Sequence, residues 1–173
     1  MFERISTEQI PDQPGHVYRY ELAASWLEPG ERVLDVACGV GYGAKVLTDL
    51  LPVKYVGVDK IVPAQEFARL GKFHAGVNLD SWVPDFVWDV SVCFETLEHV
   101  GDPQHLANQV ARAQRLIIVS VPTRPTKHLN PYHLHDFTVD DVIGLFSNRE
   151  LLHIEDQPEE LSHVFVFGRS NAK

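Results

Sequence analysis

Acidic and imidazole side chains occur together in one short segment of the chain. Glu95, Glu98 and His99 are spaced i, i+3 and i+4, so in a helical turn they would project to one side. Two carboxylates and an imidazole can hold a divalent cation, and a neutral imidazole can act as a general base. His133 and His135, in a later loop, are further candidates for both roles. The spacing predicts a site for a cation or a proton acceptor.

A glycine-rich loop follows the first predicted strand. Residues 33–36 are apolar except for Asp35, and Gly39, Gly41 and Gly43 come shortly after them. Glycines let the backbone turn sharply and approach a ligand without intervening side chains. The N–H groups of the loop, with those of a helix starting near residue 42, would form a polar cradle. We therefore expect a small ligand at this loop.

Two acidic residues indicate which ligand this is. Asp35 lies at the end of the first strand, where a pyrophosphate would gain nothing from a negative charge. Asp59 ends the next strand, about 20 residues beyond the glycines, from where a carboxylate can accept both hydroxyls of a ribose. A cationic nucleoside suits both acids. We expect S-adenosylmethionine, whose adenosyl group is linked to a sulfonium and an ammonium.

Four segments, in this order, resemble the motifs of class I S-adenosylmethionine-dependent methyltransferases of the ubiquinone-pathway O-methyltransferase type. They are the glycine loop at 33–43, the strand ending at Asp59, the strand 88–94, and Leu97-Glu98-His99-Val100. The resemblance runs from about His16 to the C-terminus. It implies an α/β fold with a Rossmann-like, seven-stranded, mostly parallel sheet, helices on both faces and an antiparallel last strand.

The resemblance also implies roles for single residues. Tyr20, in the signature-like His16-x-x-Arg19-Tyr20, would contact cofactor or substrate, or would only pack its helix on the sheet. Asp80 would accept a hydrogen bond from the adenine amino group, or is an ordinary turn residue. The cofactor-binding residues that we assign are Tyr20, Asp35, Gly39, Gly41, Asp59, Lys60, Asp80, Ser81 and Glu95.

The Glu-x-x-Glu-His sequence is similar to a metal-binding segment of ubiquinone-pathway O-methyltransferases and small-RNA terminal ribose methyltransferases. This similarity implies Glu95, Glu98 and His99 as ligands of Mg²⁺ or another divalent metal, with His133 or His135 as a fourth ligand. Metal-free relatives also carry Leu-Glu-His. Without a metal, His99 or His133 is the candidate catalytic base.

The elements that must position these residues alternate between strand and helix from residue 31 onward, which is typical of an α/β sheet. Helices are predicted over 16–27, 43–51, 63–70, 103–112 and 138–146, and strands over 33–36, 54–59, 72–79, 88–94, 116–121, 151–154 and 164–167. Asp102 and Thr138 are predicted N-caps. We expect a single methyltransferase domain over 1–173, with an N-terminal arm and cap helix in 1–30 and a Rossmann-like core in 31–173. Residues 1–15 should be extended or mobile.

Composition excludes several classes of protein. Hydrophobic residues make up 45% of the chain and charged residues 23%, as in soluble globular domains. The sequence has no apolar run near the ~20 residues of a membrane span and no signal peptide, so we expect a cytoplasmic protein without membrane contact. Cys38 and Cys93 should be reduced. The net charge of −9 makes nucleic acid an unlikely partner.

The leading hypothesis is methyl transfer from S-adenosylmethionine to a hydroxyl or amine of a small molecule, sugar or larger glycan. Only 1–30 and 122–137 are available to cover the site, so a second subunit, as in a homodimer, could complete it. Two alternatives stay open: a metal-dependent RNA ribose methyltransferase, and a non-catalytic S-adenosylmethionine-binding partner subunit. A nicotinamide dehydrogenase has the least support, because little chain remains for a catalytic domain.

Overall fold

The structure is a computed structural model that describes residues 7–170. The strands are β1 (Arg32–Val36), β2 (Lys54–Val58), β3 (Lys72–His74), β4 (Val90–Phe94), β5 (Leu116–Pro122), β6 (Arg149–Gln157) and β7 (Ser162–Arg169). The helices are α1 (Pro14–Ala24), α2 (Tyr42–Leu50), α3 (Pro103–Val110) and α4 (Val139–Leu145). None of these described helices has the length and apolar character needed to cross a bilayer.

All seven strands join one sheet in the order β3-β2-β1-β4-β5-β7-β6. Strands β1 to β5 pair in parallel, whereas β7 runs antiparallel to both β5 and β6. The predicted fold is therefore confirmed, including the antiparallel last strand. The order reverses between β1 and β4, which is where ligands bind in open α/β sheets, outside the carboxyl ends of the strands.

Burial on both faces explains why the central strands are almost continuously apolar. Every residue of β5 is buried, as are four of the five residues of β1 and of β4. One apolar cluster packs this sheet against α3 and α4, and a second packs it against α1 and α2. The sheet is thus held rigidly by helices on both faces, which fixes the positions of its strand ends.

Both predicted N-caps are confirmed. The Asp102 carboxylate accepts a hydrogen bond from the His105 N–H at 2.9 Å, at the start of α3. Thr138 forms a reciprocal capping box with Asp141 at the start of α4. These contacts satisfy N–H groups that a helix start leaves without intrahelical partners.

Two predicted elements differ from the structure. The predicted helix at 63–70 is instead a series of turns, and the Ala64 N–H at its start donates to the Val40 carbonyl of the glycine loop at 2.8 Å. The predicted strand at 72–79 ends at His74. After it the chain folds back, and the Val77 N–H donates to the Asp59 carbonyl at 3.1 Å. In both places a backbone hydrogen bond ties the irregular segment to a loop beside the carboxyl ends of the strands.

The predicted N-terminal arm is wrong for its described part. Thr7–Asp12 forms a 3-10 helix, and α1 begins at Pro14, a residue that suits the first turn of a helix. The rest of the predicted arm, residues 1–6, lies outside the described residues. The division of the domain at residue 30 stays a prediction.

Helix α1 is fastened to the far edge of the sheet. The Tyr18 hydroxyl donates to Glu155 at 2.5 Å, and the Arg19 Nε donates to the Gln157 side-chain oxygen at 2.8 Å, both on β6. The 3-10 turn Pro158–Glu160, which follows β6, lies beside the same helix, since a Cβ on Gly15 would meet the Glu160 carboxylate. Helix α1 is therefore placed over the carboxyl ends of the strands.

Candidate functional site

A cavity of about 990 Å³ opens at the carboxyl ends of the parallel strands. Its walls come from the segments that follow each of the strands β1 to β5, together with α1 and the turn after β6. The volume is in the range of small-molecule sites in proteins, about 300 to 1,000 Å³. We call the part around Gly39, Asp59 and Asp80 the Asp59 end, and the part around Glu98, His99 and His133 the Glu98 end.

The Asp59 end is organised by one carboxylate. Asp59 accepts a hydrogen bond from the Gly39 N–H at 2.8 Å through one oxygen and from the Ile61 N–H at 3.0 Å through the other. Gly39 has a left-handed backbone with φ of 56°, and apart from its two chain neighbours no described residue has an atom within 4 Å of the place where a Cβ would stand. The bare backbone of Gly39 and the Asp59 side chain are therefore presented together to the cavity.

Gly41 has a different role from Gly39. Its φ is 92°, and a Cβ there would lie 2.9 Å from the Phe73 ring. Gly41 caps the start of α2 and is not among the residues that line the cavity. It shapes the loop but does not face the space that a cofactor could fill.

Asp35 does not reach the cavity either. It is 1% exposed, and one of its oxygens accepts hydrogen bonds from the hydroxyls of Tyr20, at 2.8 Å, and Tyr55. Its other oxygen has no hydrogen-bond partner among the described residues. Burial raises the pKa of Asp35 to about 7. The sequence predicted that the Asp35 carboxylate would face the ligand. In the structure Tyr20 lines the cavity at this place, and Asp35 lies behind it.

Of the remaining residues predicted to bind the cofactor at this end, two line the cavity and one does not. Asp80 and Lys60 line the cavity, and Asp80 also accepts a hydrogen bond from the Gly101 N–H at 2.7 Å. Ser81 is exposed, does not line the cavity, and donates to the Asn78 carbonyl at 3.4 Å. Lys60 is the only lysine or arginine that lines the cavity within residues 7–170.

Glu95 lines the cavity, but its carboxylate is already engaged. It accepts from the Ser120 hydroxyl at 2.8 Å and from the Ser162 hydroxyl at 2.9 Å. Its backbone is left-handed, with φ of 47°, at the point where β4 ends. Non-glycine residues held in this conformation are uncommon and cluster at functional sites. This turn separates the Glu95 side chain from the residues that follow it.

Two residues of α1 belong to the site although sequence reasoning gave them no role of their own. Arg19 is fully buried, and its terminal nitrogen lies 3.5 Å from Glu95 and 3.7 Å from Glu160. His16 lines the cavity, and burial together with the Arg19 charge lowers its pKa to about 4. The available signal was the His16-x-x-Arg19-Tyr20 pattern itself, which contains both residues.

The Glu98 end joins two separate segments of the chain. Leu97–His99 forms a 3-10 turn, and the Glu98 carbonyl accepts from the Leu134 N–H at 2.7 Å. This contact holds the 123–137 loop so that His133 meets His99, with 4.7 Å between the ring centroids. One ligand atom from each of Glu98, His99 and His133 lies within 4.8 Å of the others.

Hydrogen bonds to His99 and His133 bear on which nitrogen of each imidazole carries a proton. The Nδ1 of His99 lies 3.0 Å from the Tyr132 carbonyl, which can only accept, so in the neutral ring Nδ1 carries the proton and Nε2 keeps its lone pair. The Nδ1 of His133 lies 2.7 Å from the Thr126 hydroxyl. The neutral form of His133 is favoured, because burial and the neighbouring His99 lower its pKa.

Glu98 has an unusual environment for a carboxylate. It is 1% exposed, and neither oxygen has a hydrogen-bond partner among residues 7–170. The closest basic atom recorded is His99 Nε2, at 3.7 Å. Burial raises the pKa of Glu98 well above its usual range, and the Glu95 charge adds to this effect.

The group of possible cation ligands differs from the predicted one. Glu95 is not part of it, because its carboxylate turns toward Ser120 and Ser162. His135 does not line the cavity, and its Nε2 lies 2.9 Å from the Val100 carbonyl. The structure instead adds His133 to Glu98 and His99.

The sequence matches a family model described as a methyltransferase domain over residues 15–170. The chain belongs to this family. The predicted resemblance to class I S-adenosylmethionine-dependent methyltransferases is thereby confirmed. In this methyltransferase domain the match includes α1 from its second residue, every strand of the sheet and all the residues that line the cavity, except Gln13.

Curated relatives of this methyltransferase domain are longer proteins. A probable S-adenosylmethionine-dependent methyltransferase of Mycolicibacterium smegmatis is 28% identical over 73% of this chain and 59% of its own length. A ubiquinone biosynthesis O-methyltransferase of Xanthomonas axonopodis pv. citri is 34% identical over 54% of this chain and 44% of its own length. The chain thus spans about half the length of these relatives.

A solved structure shows the same fold. The magnesium protoporphyrin IX methyltransferase of Synechocystis PCC 6803, crystallised with bound SAH, superposes with a TM-score of 0.75 at 18% identity. The superposition covers 98% of this chain and 90% of the other. At this identity the likeness concerns the fold.

Proposed function

We propose that this methyltransferase domain transfers a methyl group from S-adenosylmethionine to a hydroxyl or amine of a small molecule or sugar. The observation that carries the proposal is the single cavity that contains both the Gly39 and Asp59 pair and the Glu98, His99 and His133 group. Membership of the methyltransferase domain family supports it.

The cofactor would occupy the Asp59 end. Asp59 would accept the ribose hydroxyls with its carboxylate, and the bare Gly39 backbone would lie against the nucleoside. Asp80 would face the adenine, and Tyr20 would contact the methionine portion in front of Asp35. The buried charge of Asp35 would then act on the cofactor's cationic groups through the Tyr20 hydroxyl.

The acceptor would occupy the Glu98 end. The unprotonated Nε2 of His99 can take a proton from the nucleophile, since its Nδ1 donates to a backbone carbonyl. Alignment of the nucleophile opposite the sulfonium contributes more, because positioning can supply an effective molarity of about 10⁵ M or higher, against about 10² to 10⁴ in rate from a general base. His133 would hold the acceptor in line.

A divalent ion is a second candidate occupant of the Glu98 end. The orphaned oxygens of Glu98 fit a cation, and two imidazoles with one carboxylate suit zinc, manganese or iron better than Mg²⁺. When bound, such an ion would lower the pKa of an acceptor hydroxyl. Glu98, His99 and His133 would be its ligands, without Glu95.

The two alternative functions have less support. An RNA ribose methyltransferase would bring a phosphate backbone to a cavity lined by six carboxylates and one lysine, in a chain of net charge −9. A non-catalytic partner subunit would not need the imidazole pair. A cytoplasmic location and a homodimer stay predictions.

Calorimetry followed by a transfer assay tests the proposal. We expect S-adenosylmethionine and S-adenosylhomocysteine to bind, and labelled methyl to appear in fractions of small metabolites or glycans. Label found in RNA alone would overturn the acceptor class. Binding without transfer to any fraction would favour the partner subunit, and no binding would remove the proposal altogether. Parallel reactions with a chelator separate metal-assisted from metal-free transfer.

A further inference from the structure

The cavity carries a surplus of negative charge. Its lining includes one basic side chain, Lys60, and six acidic ones within the described chain: Asp59, Asp80, Glu95, Glu98, Glu159 and Glu160. The buried Arg19 lies within 4 Å of two of these, Glu95 and Glu160. Lys60 follows β2 at the Asp59 end, so no lysine or arginine from 7–170 lines the Glu98 end.

The environment of Glu98 indicates that the negative charge of the cavity serves to bind a ligand. Its side chain is 1% exposed, lines the cavity, and has two oxygens with no hydrogen-bond partner among the described residues. An ionised carboxylate in such a position costs several kcal/mol or more unless it is paired or hydrogen-bonded. A group that enters the cavity and offers N–H donors together with positive charge would remove this cost.

The neighbours of Glu98 specify the shape of that group. His99 presents the lone pair of Nε2, which lies 3.7 Å from a Glu98 oxygen, and His133 stands edge-on to His99. A carboxylate and two imidazole nitrogens within 4.8 Å of one another can surround one small cation with several hydrogens. An ammonium group has three donors on a single nitrogen and matches this arrangement.

We propose that the methyl acceptor is an amine, which enters the cavity as its ammonium ion and binds to Glu98, His99 and His133. The proposal rests on the methyl transfer proposed above and narrows its acceptor from a hydroxyl or amine to an amine. It also accounts for Glu159 and Glu160, whose charges favour a cationic acceptor over phosphorylated or carboxylated ones.

The reaction balances with groups already present. The bound ammonium gives one proton to Nε2 of His99, which frees the nitrogen lone pair. This pair attacks the methyl carbon as the carbon–sulfur bond breaks, and the bonding electrons stay on sulfur. The sulfonium becomes the neutral thioether of S-adenosylhomocysteine, the product leaves as a methylated ammonium, and the His99 proton passes to solvent.

A titration with methylammonium tests the binding step. The full chain, saturated with S-adenosylhomocysteine in an amine-free buffer with chelator, is followed by ¹⁵N NMR of the histidine side chains. Methylammonium chloride should shift the signals of His99 and His133 saturably. Tetramethylammonium chloride, which has the same charge but no N–H donor, should not. Equal responses to the two salts, or no saturable response, would overturn the proposal.

Two variants sharpen the titration. Glu98→Gln keeps the size of the side chain and should weaken methylammonium binding at least about tenfold, the loss expected for a charged hydrogen bond. Glu66→Gln makes the same change on an exposed residue that does not line the cavity, and should bind as the wild type. Unchanged binding in Glu98→Gln would contradict the proposed site.

The same samples separate failure of this inference from failure of the proposed function. If S-adenosylhomocysteine does not bind in calorimetry, the methyl transfer itself is wrong. If it binds and methylammonium does not, only the amine is wrong. A saturable response to Mn²⁺ or Zn²⁺ without chelator, in a protein that ignores methylammonium, would assign the Glu98 end to a metal instead.

Discussion

The two ends of the cavity treat their carboxylates differently. At the Asp59 end, both Asp59 oxygens accept backbone N–H groups, and Asp80 accepts another. At the Glu98 end, Glu98 is buried with no such partner among the described residues. The first end is complete before any ligand arrives, whereas the second becomes complete only with a cation or a donor group. We infer that the Asp59 end is preorganised and that ligand binding stabilises the Glu98 end.

The difference follows from how each end is built. Strands β1 and β2 pair in register, with Val36 beside Val58, so their carboxyl ends bring the Gly39 loop to Asp59 through adjacent parallel strands. The Glu98 end depends on a loop more than 20 residues further along the chain, held by the contact between Leu134 and Glu98.

Loss of the proposed base should have the largest effect. We expect His99→Gln to slow methyl transfer about 10²- to 10⁴-fold, because the nucleophile keeps its proton, while S-adenosylhomocysteine affinity stays near that of the wild type. His133→Gln should also reduce turnover more than cofactor affinity. Single-turnover assays and calorimetry measure the two quantities. His128→Gln, on an exposed residue of the same loop, is the control. Equal losses of rate and affinity would contradict the separation of the two ends.

Asp59→Asn should reduce cofactor affinity, the property that His99→Gln leaves unchanged. The substitution removes the charged acceptor for the ribose and weakens the hold on the Gly39 N–H, so we expect cofactor affinity to fall about 100-fold, or about 3 kcal/mol. Isothermal calorimetry with S-adenosylhomocysteine measures this. Asp49→Asn, an exposed residue paired with Lys45 on α2, should bind normally. A loss below threefold would show that Asp59 does not carry the cofactor.

His16 links the cavity to the pH dependence of stability. Its pKa is about 4 in the folded protein and 6.5 when unperturbed, so the unfolded chain binds more protons between these values. Stability from this residue is therefore present above pH 6.5 and lost as the pH falls toward 4, by about 3 kcal/mol at most. Denaturant unfolding of wild type and His16→Gln at several pH values measures the difference. Parallel pH profiles would show that His16 is not buried as a neutral group.

Glu98→Gln should have the smallest effect, with the opposite sign. The folded pKa of Glu98 is raised, so wild-type stability falls as the pH rises above the unperturbed value of 4.5. Without ligand at alkaline pH, the variant should be more stable than the wild type by about 2 kcal/mol, because burying a neutral amide without partners costs less than burying an unpaired carboxylate charge. Glu66→Gln should show no such gain. A less stable Glu98→Gln protein would indicate that Glu98 already has a partner.

Prediction from the sequence was most accurate where the functional residues belong to a local sequence pattern. The apolar runs, the Gly39 loop and Asp59 predicted the sheet and one end of its cavity, because strand ends of a parallel sheet bring such residues together. Prediction failed at 63–70, where the chain forms turns and not the predicted helix. It also grouped Glu95 with Glu98, because linear spacing does not reveal the left-handed turn at Glu95.

The order of apolar strands, glycines and acids therefore determined the fold, its family and the Asp59 end of the cavity. Only the tertiary structure decided that Asp35 lies behind Tyr20, that His133 replaces Glu95 beside Glu98, and that Arg19 is buried against two acids. The physical reason is the range of the interactions. The apolar periodicity that predicts strands and helices can be recognised in a few neighbouring residues. The burial and the partners of a charged group depend on segments that meet only after folding.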